Sequence, residues 1–281
     1  MFNPIPGLAA AVVWAFCNVY YRGFLRKFEL LNFNFLRTSI PAVVLFLPTI
    51  LLGSGLGAGV GYAILSGVVT LGLGDTMFLL AIRETGASVA SPVVYTYVLM
   101  IQLVGVGLGQ AIPYSNVVAA VMVMAGVYIL SRGGDGKPRG KGVAFALAGA
   151  VAWTAGQEMI QLATNAGGGV LTVTFVRDAA AATALGLALL LSGRAKVWPR
   201  GLSAREIGFV LVIVLSDLLL GSLLFVYSIS TIGVAFTVIV TSLSPFITQV
   251  SSRALGKESP SARDFAGGAL IVAALVIAVA L

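Results

Sequence analysis

Apolar runs long enough to cross a bilayer recur from one end of this chain to the other, and nothing between them is long enough to form a water-soluble domain. A helix needs about 20 such residues to span about 30 Å of hydrocarbon. Inside lipid only helices and closed barrels satisfy their own backbone, and runs this long and apolar point to helices. Cutting at glycine and proline clusters and at charge runs gives ten predicted spans: 5–21, 31–52, 58–82, 86–109, 114–131, 141–164, 168–192, 206–230, 233–255 and 264–281. Only 10% of the 281 residues are charged, whereas a soluble domain of this size carries about 25%. The expected fold class is an all-α, polytopic membrane protein.

Several function classes fall away at once. The net charge of +7 does not indicate nucleic acid, because the basic residues sit in short loops where anionic headgroups and topology account for them. A single cysteine, Cys17, allows neither an internal disulfide nor a cysteine metal cluster. With no histidine, the usual near-neutral proton shuttle and the commonest metal ligand are both missing. No cofactor or metal is therefore expected, and no GxxxxGK[ST] motif offers a nucleotide site. A membrane-embedded enzyme would need a clustered nucleophile and base, and the chain offers only scattered carboxylates, so a non-enzymatic role is expected. The opening MFNPIPGLAA lacks the cationic region of a signal peptide, so the first span is expected to stay in the mature protein.

Lysine and arginine give the expected orientation. Arg22, Arg26 and Lys27 follow the first span, Arg83 the third, and Arg132, Lys137, Arg139 and Lys141 the fifth. Arg194, Lys196, Arg200 and Arg205 follow the seventh, and Arg253, Lys257 and Arg263 the ninth. Fifteen of the seventeen basic residues thus lie in alternate loops. That bias predicts a multi-pass protein of the cell membrane with the 132–141 loop in the cytoplasm and both termini outside.

The other two, Arg37 and Arg177, lie inside apolar runs, and an internal repeat relates them. At an offset of 139, Trp14 meets Trp153 and Asn18 meets Gln157; at 140, Arg37 meets Arg177. At 147, Gly74, Phe78, Ile82, Gly86, Gln102, Gly109, Pro113 and Ala119 meet identical residues. The offset holds at turn residues, which divides the chain into repeats at 1–133 and 134–281. Each repeat has five spans, an odd number, so the second must enter the membrane from the opposite side as an inverted repeat. Arg37 then falls near the cytoplasmic end of its span and reads as a helix-end anchor reaching the headgroups. Arg177 lies deeper, beside Asp178.

These features resemble the drug/metabolite transporter superfamily, of the EamA-like ten-helix type. The resemblance rests on a tryptophan in the first span of each half, "LR" and "VR" early in the second, and the joints GLGQAIP (107–113) and ALGKESP (254–260). SLSPF at 242–246 is similar to a family motif in the fourth helix of a repeat. The family usually has a "GE(R/K)" joint where this chain has Gln110 and Lys257-Glu258. Its members are also often expected to have cytoplasmic termini, the reverse of the charge pattern here. The resemblance implies that the first, third and fourth helices of each repeat line a central cavity.

Ionisable residues inside hydrocarbon are costly and mark candidate functional sites. Asp75, Asp217 and Glu158 are the candidates for ion coupling, with Asp75 and Asp217 at similar depth near the midplane. The candidate substrate-binding residues are these two aspartates with Trp14, Asn18, Ser91, Tyr95, Trp153, Gln157, Thr237 and Thr241. Trp14 with Asn18, and Trp153 with Gln157, place an aromatic ring and a carboxamide one turn apart on one helix face. Such a surface suits an organic solute. Thr237 and Thr241 form a hydroxyl stripe, for which bonding to the helix's own carbonyls is the structural alternative.

The expected function is a secondary transporter that moves a small organic solute, an amino acid or related amphipathic metabolite, by alternating access, with export favoured by the resemblance. The alternatives are an exchanger of sugar phosphates or nucleotide sugars, and a lipid-scrambling or other non-transport membrane protein. The expected partners are the solute and membrane lipid, with no nucleic acid. A monomer suffices, and an oligomer stays open.

Overall fold

The computed structural model describes residues 3–53, 55, 57–107, 114–132, 139–193, 199 and 201–280. The GLGQAIP joint with Gln110, the 133/134 repeat boundary, Lys137, Arg194, Lys196 and Arg200 lie outside those residues, wholly or in large part. Among the described residues there are ten helices and no strand. They are α1 (Ile5–Phe24), α2 (Leu30–Leu52), α3 (Gly57–Thr85), α4 (Ala87–Gly105) and α5 (Tyr114–Arg132). The second half supplies α6 (Gly140–Asn165), α7 (Val170–Leu191), α8 (Ala204–Ile232), α9 (Val234–Ala254) and α10 (Ala262–Ala280). Each predicted span falls on one of them. Seven are, by themselves, long and apolar enough to cross a membrane. The exceptions are α1, diluted by Trp14, Asn18, Tyr20, Tyr21 and Arg22, and α5 and α10; α5 keeps an apolar core at Val118–Leu130.

The halves interlock by exchange. α1 packs on α8 and α9 of the second half, and its counterpart α6 packs on α3 and α4 of the first. α2 lies along its own counterpart α7, and α5 along α10. Reciprocal contacts of this kind are what a two-fold relation produces. The relation extends to single side chains. The Trp14 ring lies against Gly221 and Phe225, and the Trp153 ring against Gly74 and Phe78. A Cβ on Gly74 would fall 2.5 Å from Trp153 Cδ1, and one on Gly221 would fall 2.9 Å from Trp14 Cδ1. Neither tryptophan could sit where it does over any larger residue.

Matching irregularities recur in both halves. α3 widens into π-helical turns at Gly67–Gly74, and α8 does so at Leu215–Gly221. Such turns are rare and often mark functional positions. α4 breaks at Tyr95–Thr96 and α9 at Ser242–Leu243, where tighter bonds such as Thr96 N–H to Val93 O (3.1 Å) and Ser242 N–H to Ile239 O (3.0 Å) replace the regular ladder. The joints before those helices are Gly86 (φ +86°) and Gly233 (φ +81°), in backbone space that L side chains rarely adopt. Glu258, from the loop between α9 and α10, accepts from the N–H groups of Ala87 (2.8 Å) and Ser88 (2.9 Å) at the start of α4. Gln161 Oε1 does the same for Val234 N–H (2.7 Å) at the start of α9. In this chain Glu258 therefore has a helix-capping position.

Basic residues at the described helix ends gather on one face. Ion pairs join Arg22 to Glu258 (3.9 Å), Arg139 to Asp264 (2.5 Å), Lys141 to Glu84 (3.7 Å) and Lys27 to Glu206. The ends of α1, α3 and α9 and the starts of α6, α8 and α10 are thereby drawn together.

Close approach between α3 and α7 depends on Gly67. A Cβ there would run into the Arg177 carbonyl oxygen and lie 2.8 Å from its carbonyl carbon, both rigid backbone atoms. Gly67→Ala is expected to lower stability by roughly 1–3 kcal/mol, a typical overpacking cost. Gly72→Ala, whose nearest neighbour would be 3.8 Å away, should have a much smaller effect. Thermal melts of the purified variants in detergent measure the difference.

Candidate functional site

The centre of the bundle is held by one arginine. Arg37, on α2, is only 3% exposed, and its guanidinium grips Asp217 of α8 through Nη2 (2.7 Å) and Nε (2.9 Å). The same Nη2 lies 3.1 Å from Asp75 Oδ2 on α3. Nη1 donates to Asn34 Oδ1 (3.0 Å), and the group stacks 4.8 Å from the centre of the Tyr21 ring. The reading of Arg37 as a headgroup anchor is therefore corrected. Its side chain turns inward, because two carboxylates from other helices offer it better compensation than a climb to the interface.

The two aspartates are further fixed by the tryptophans. Trp153 Nε1 donates to Asp75 Oδ1 (2.9 Å), and Trp14 Nε1 donates to the Asp217 carbonyl oxygen (3.1 Å). They are not repeat counterparts: at the 147 offset Asp75 corresponds to Ser222, and Asp217 to Thr70. A near-symmetric scaffold thus carries an asymmetric set of charges. Arg177, the counterpart of Arg37, has Nε on Ser66 Oγ (2.9 Å), which in turn donates to the Gly156 carbonyl (2.7 Å). Beside it Asp178 is fully buried, and neither of its carboxyl oxygens has a hydrogen-bond partner among the described residues.

Both arginines, Asp75 and Asp217 border a central cavity between the halves; Asp178 does not. Of the predicted residues, Trp14, Asn18, Asp75, Tyr95, Trp153, Gln157 and Asp217 line it. Ser91 is buried but lies outside the lining, and its hydroxyl has no partner among the described residues. Thr237 pairs with Ser228 Oγ (3.0 Å), and Thr241 donates to the Val238 carbonyl (3.0 Å), so both hydroxyls serve the fold. Glu158 is half-buried and does not border the cavity. Lining residues outside the predicted set include Arg37, Arg177, Tyr97, Phe78 and Phe225. The identity of Phe78 and Phe225 at the repeat offset is the sequence signal for that last pair. Tyr97 carries none.

Aromatic groups form most of one wall. Tyr97 meets Trp153 edge-on at 5.4 Å between ring centres, Tyr95 meets Tyr97 at 5.5 Å, and Phe78 meets Trp153 at 5.3 Å. The cavity encloses about 50 Å³. That is room for a few waters, whereas small-molecule pockets run to roughly 300–1,000 Å³. Anything larger than water enters only if the walls part.

An all-helical bundle of two interlocked halves around a buried, charged and aromatic centre defines a polytopic membrane protein of the transporter type. The model of the EamA-like transporter family matches residues 4–132 and again 140–280, once for each half. The chain belongs to that family. It is 28% identical over 158 residues to an uncharacterised transporter of Archaeoglobus fulgidus, a match spanning 54% of this chain and 56% of that relative. The matched part is thus little more than half of that relative's length. A solved crystal structure superposes with a TM-score of 0.70 over 98% of this chain and 96% of the other, at 19% identity, a likeness of fold alone.

Proposed function

We propose that this protein is a secondary transporter of the cell membrane that carries a small zwitterionic solute, an amino acid or a close relative, by alternating access between two inverted halves. The observation that carries the reading is the Arg37–Asp75–Asp217 cluster beside the Trp14, Trp153, Tyr95 and Tyr97 rings. A zwitterion offers a carboxylate to Arg37 and an ammonium to an aspartate, so it can replace the internal ion pairs with pairs of its own. Asn18 and Gln157 add donors and acceptors, and the rings supply apolar contact for a side chain. A fixed anion such as a sugar phosphate, with no ammonium to offer the aspartates, would need several free cations, and among the described lining residues Arg177 stands beside an Arg37 already committed to two carboxylates. In this reading Asp75 and Asp217, which border the cavity, carry the coupling protons, whereas Glu158, away from the cavity, drops out. Export is the favoured direction, with the basic face in the cytoplasm and both termini outside. Cleavage of the 132–141 loop by protease added outside right-side-out vesicles would refute that orientation.

The direct test is uptake of labelled amino acids into proteoliposomes, with and without a pH gradient. Asp217→Asn and Asp75→Asn are each expected to cut uptake at least tenfold, and at least one variant should lose the response to the gradient. Uptake that is indifferent to both substitutions would sink this role for the cluster.

A further inference from the structure

A second and much larger opening lies away from the cavity. Between the end of α1 and the first turns of α8 there is a cleft of about 760 Å³. Arg22, Arg26, Lys27, Arg205 and Lys257 line it, and Glu206 is the single acid among the lining residues. Lys27 is committed to Glu206 and Arg22 leans towards Glu258 (3.9 Å), but Arg26 and Arg205 have no carboxylate within ion-pair reach among the described residues. The other wall is apolar: Phe24, Phe209 and Val212, with the Tyr20 ring edge-on to Phe209 at 5.0 Å. Val212 is 60% exposed and Phe209 41% exposed, which puts that wall on the lipid-facing perimeter of the bundle. The cleft therefore opens on the side of the bundle, with cations towards its loop end and exposed apolar side chains along the helix.

The opening is built into the sequence. At the repeat-related seam, between α3 and α6, Gly59 and Ala163 let the backbones touch: a Cβ on Gly59 would lie 2.6 Å from the Ala163 carbonyl oxygen. The counterparts of that pair, at offsets of 147 and 139, are Glu206 and Phe24. Two bulky side chains stand where glycine and alanine close the other seam, and Glu206 reaches Lys27 across the opening.

We infer that this cleft is a binding site for one anionic phospholipid, its phosphate held by Arg26 and Arg205 and an acyl chain lying along Phe209 and Val212. Basic pockets between membrane helices on the cytoplasmic side are suited to such headgroups, and the exposed apolar wall distinguishes a lipid from a free phosphate. The site is independent of what the central cavity carries.

Native mass spectrometry of the purified full chain with dioleoylphosphatidylglycerol, dioleoylphosphatidylcholine or glycerol 3-phosphate tests it. The glycerol lipid should be retained at least tenfold over the choline lipid. Arg26→Gln with Arg205→Gln should weaken that retention by about thirtyfold, the loss of two interfacial cations. Val212→Trp, which fills the apolar half without altering charge, should weaken it as well. Both variants lie at exposed positions, and a melting temperature near the parent's confirms their folding. Equal retention of the two lipids would overturn the site, as would binding of glycerol 3-phosphate as tight as that of the lipid, which would make it a soluble-anion site. So would unchanged retention in either variant.

Discussion

Replacing Arg37 with methionine is expected to destabilise the protein by roughly 3–5 kcal/mol, the usual result of removing one partner from a buried ion pair. The cause is what the substitution leaves behind. Asp75 and Asp217 both lie within 3.1 Å of the guanidinium, and without it two carboxyl groups face each other in a low-dielectric core. Arg37→Lys should recover only part of the loss, because an ammonium cannot span Asp217 and Asn34 as a planar fork does. The triple change Arg37→Met, Asp75→Asn, Asp217→Asn removes every formal charge from the cluster and should regain most of the lost stability, as neutral replacements of buried ion networks often do. Transport should stay lost in all three if the cluster binds cargo. Thermal melts alongside proteoliposome uptake separate the two effects. A single Arg37→Met variant as stable as the parent would mean that these contacts contribute nothing net.

The scaffold is readable in the sequence because lipid imposes one rule on every span. Apolar length marks seven of the ten helices among the described residues, alternate basic loops help mark the cuts between spans, and the glycines at 86 and 233 fix the repeat register, since a joint at positive φ tolerates little else. The site is half readable. Trp14 and Trp153 emerge from the repeat, but Arg37 misleads, because its partner Asp217 is 180 residues away and only the lie of α2 beside α8 brings them together. The π-helical turns are invisible for a different reason. The stretches that form them, GVVTLGLG and LSDLLLG, match at the 147 offset on Leu71/Leu218, Leu73/Leu220 and Gly74/Gly221, but nothing in those residues marks a widened helix. The threonines at 237 and 241 have the right spacing for a cavity stripe. Their hydroxyls bond Ser228 and the Val238 carbonyl instead, which periodicity alone cannot distinguish.

Gly59→Val is expected to reduce transport about tenfold or more, at a stability cost of roughly 1–3 kcal/mol, an ordinary overpacking penalty. The reason lies in the two repeat-related seams. The α3–α6 seam is shut by backbone contact at Gly59, while the α1–α8 seam stands open by about 760 Å³. In the alternating-access reading proposed above, each seam must widen and narrow as the halves rock. A valine at 59 would place its Cβ 3.1 Å from the Ala163 Cα and closer still to its carbonyl oxygen, so the α3–α6 seam could no longer shut. Gly59 lies at the start of α3, away from the central ion cluster, so the fold can yield there by splaying one helix end. A Cβ on Gly61, two residues on, would have nothing within 4 Å among the described residues, and Gly61→Val should transport like the parent. Uptake by the two variants in the same vesicles decides the matter: equal rates for Gly59→Val and Gly61→Val would mean that cargo crosses without that seam closing.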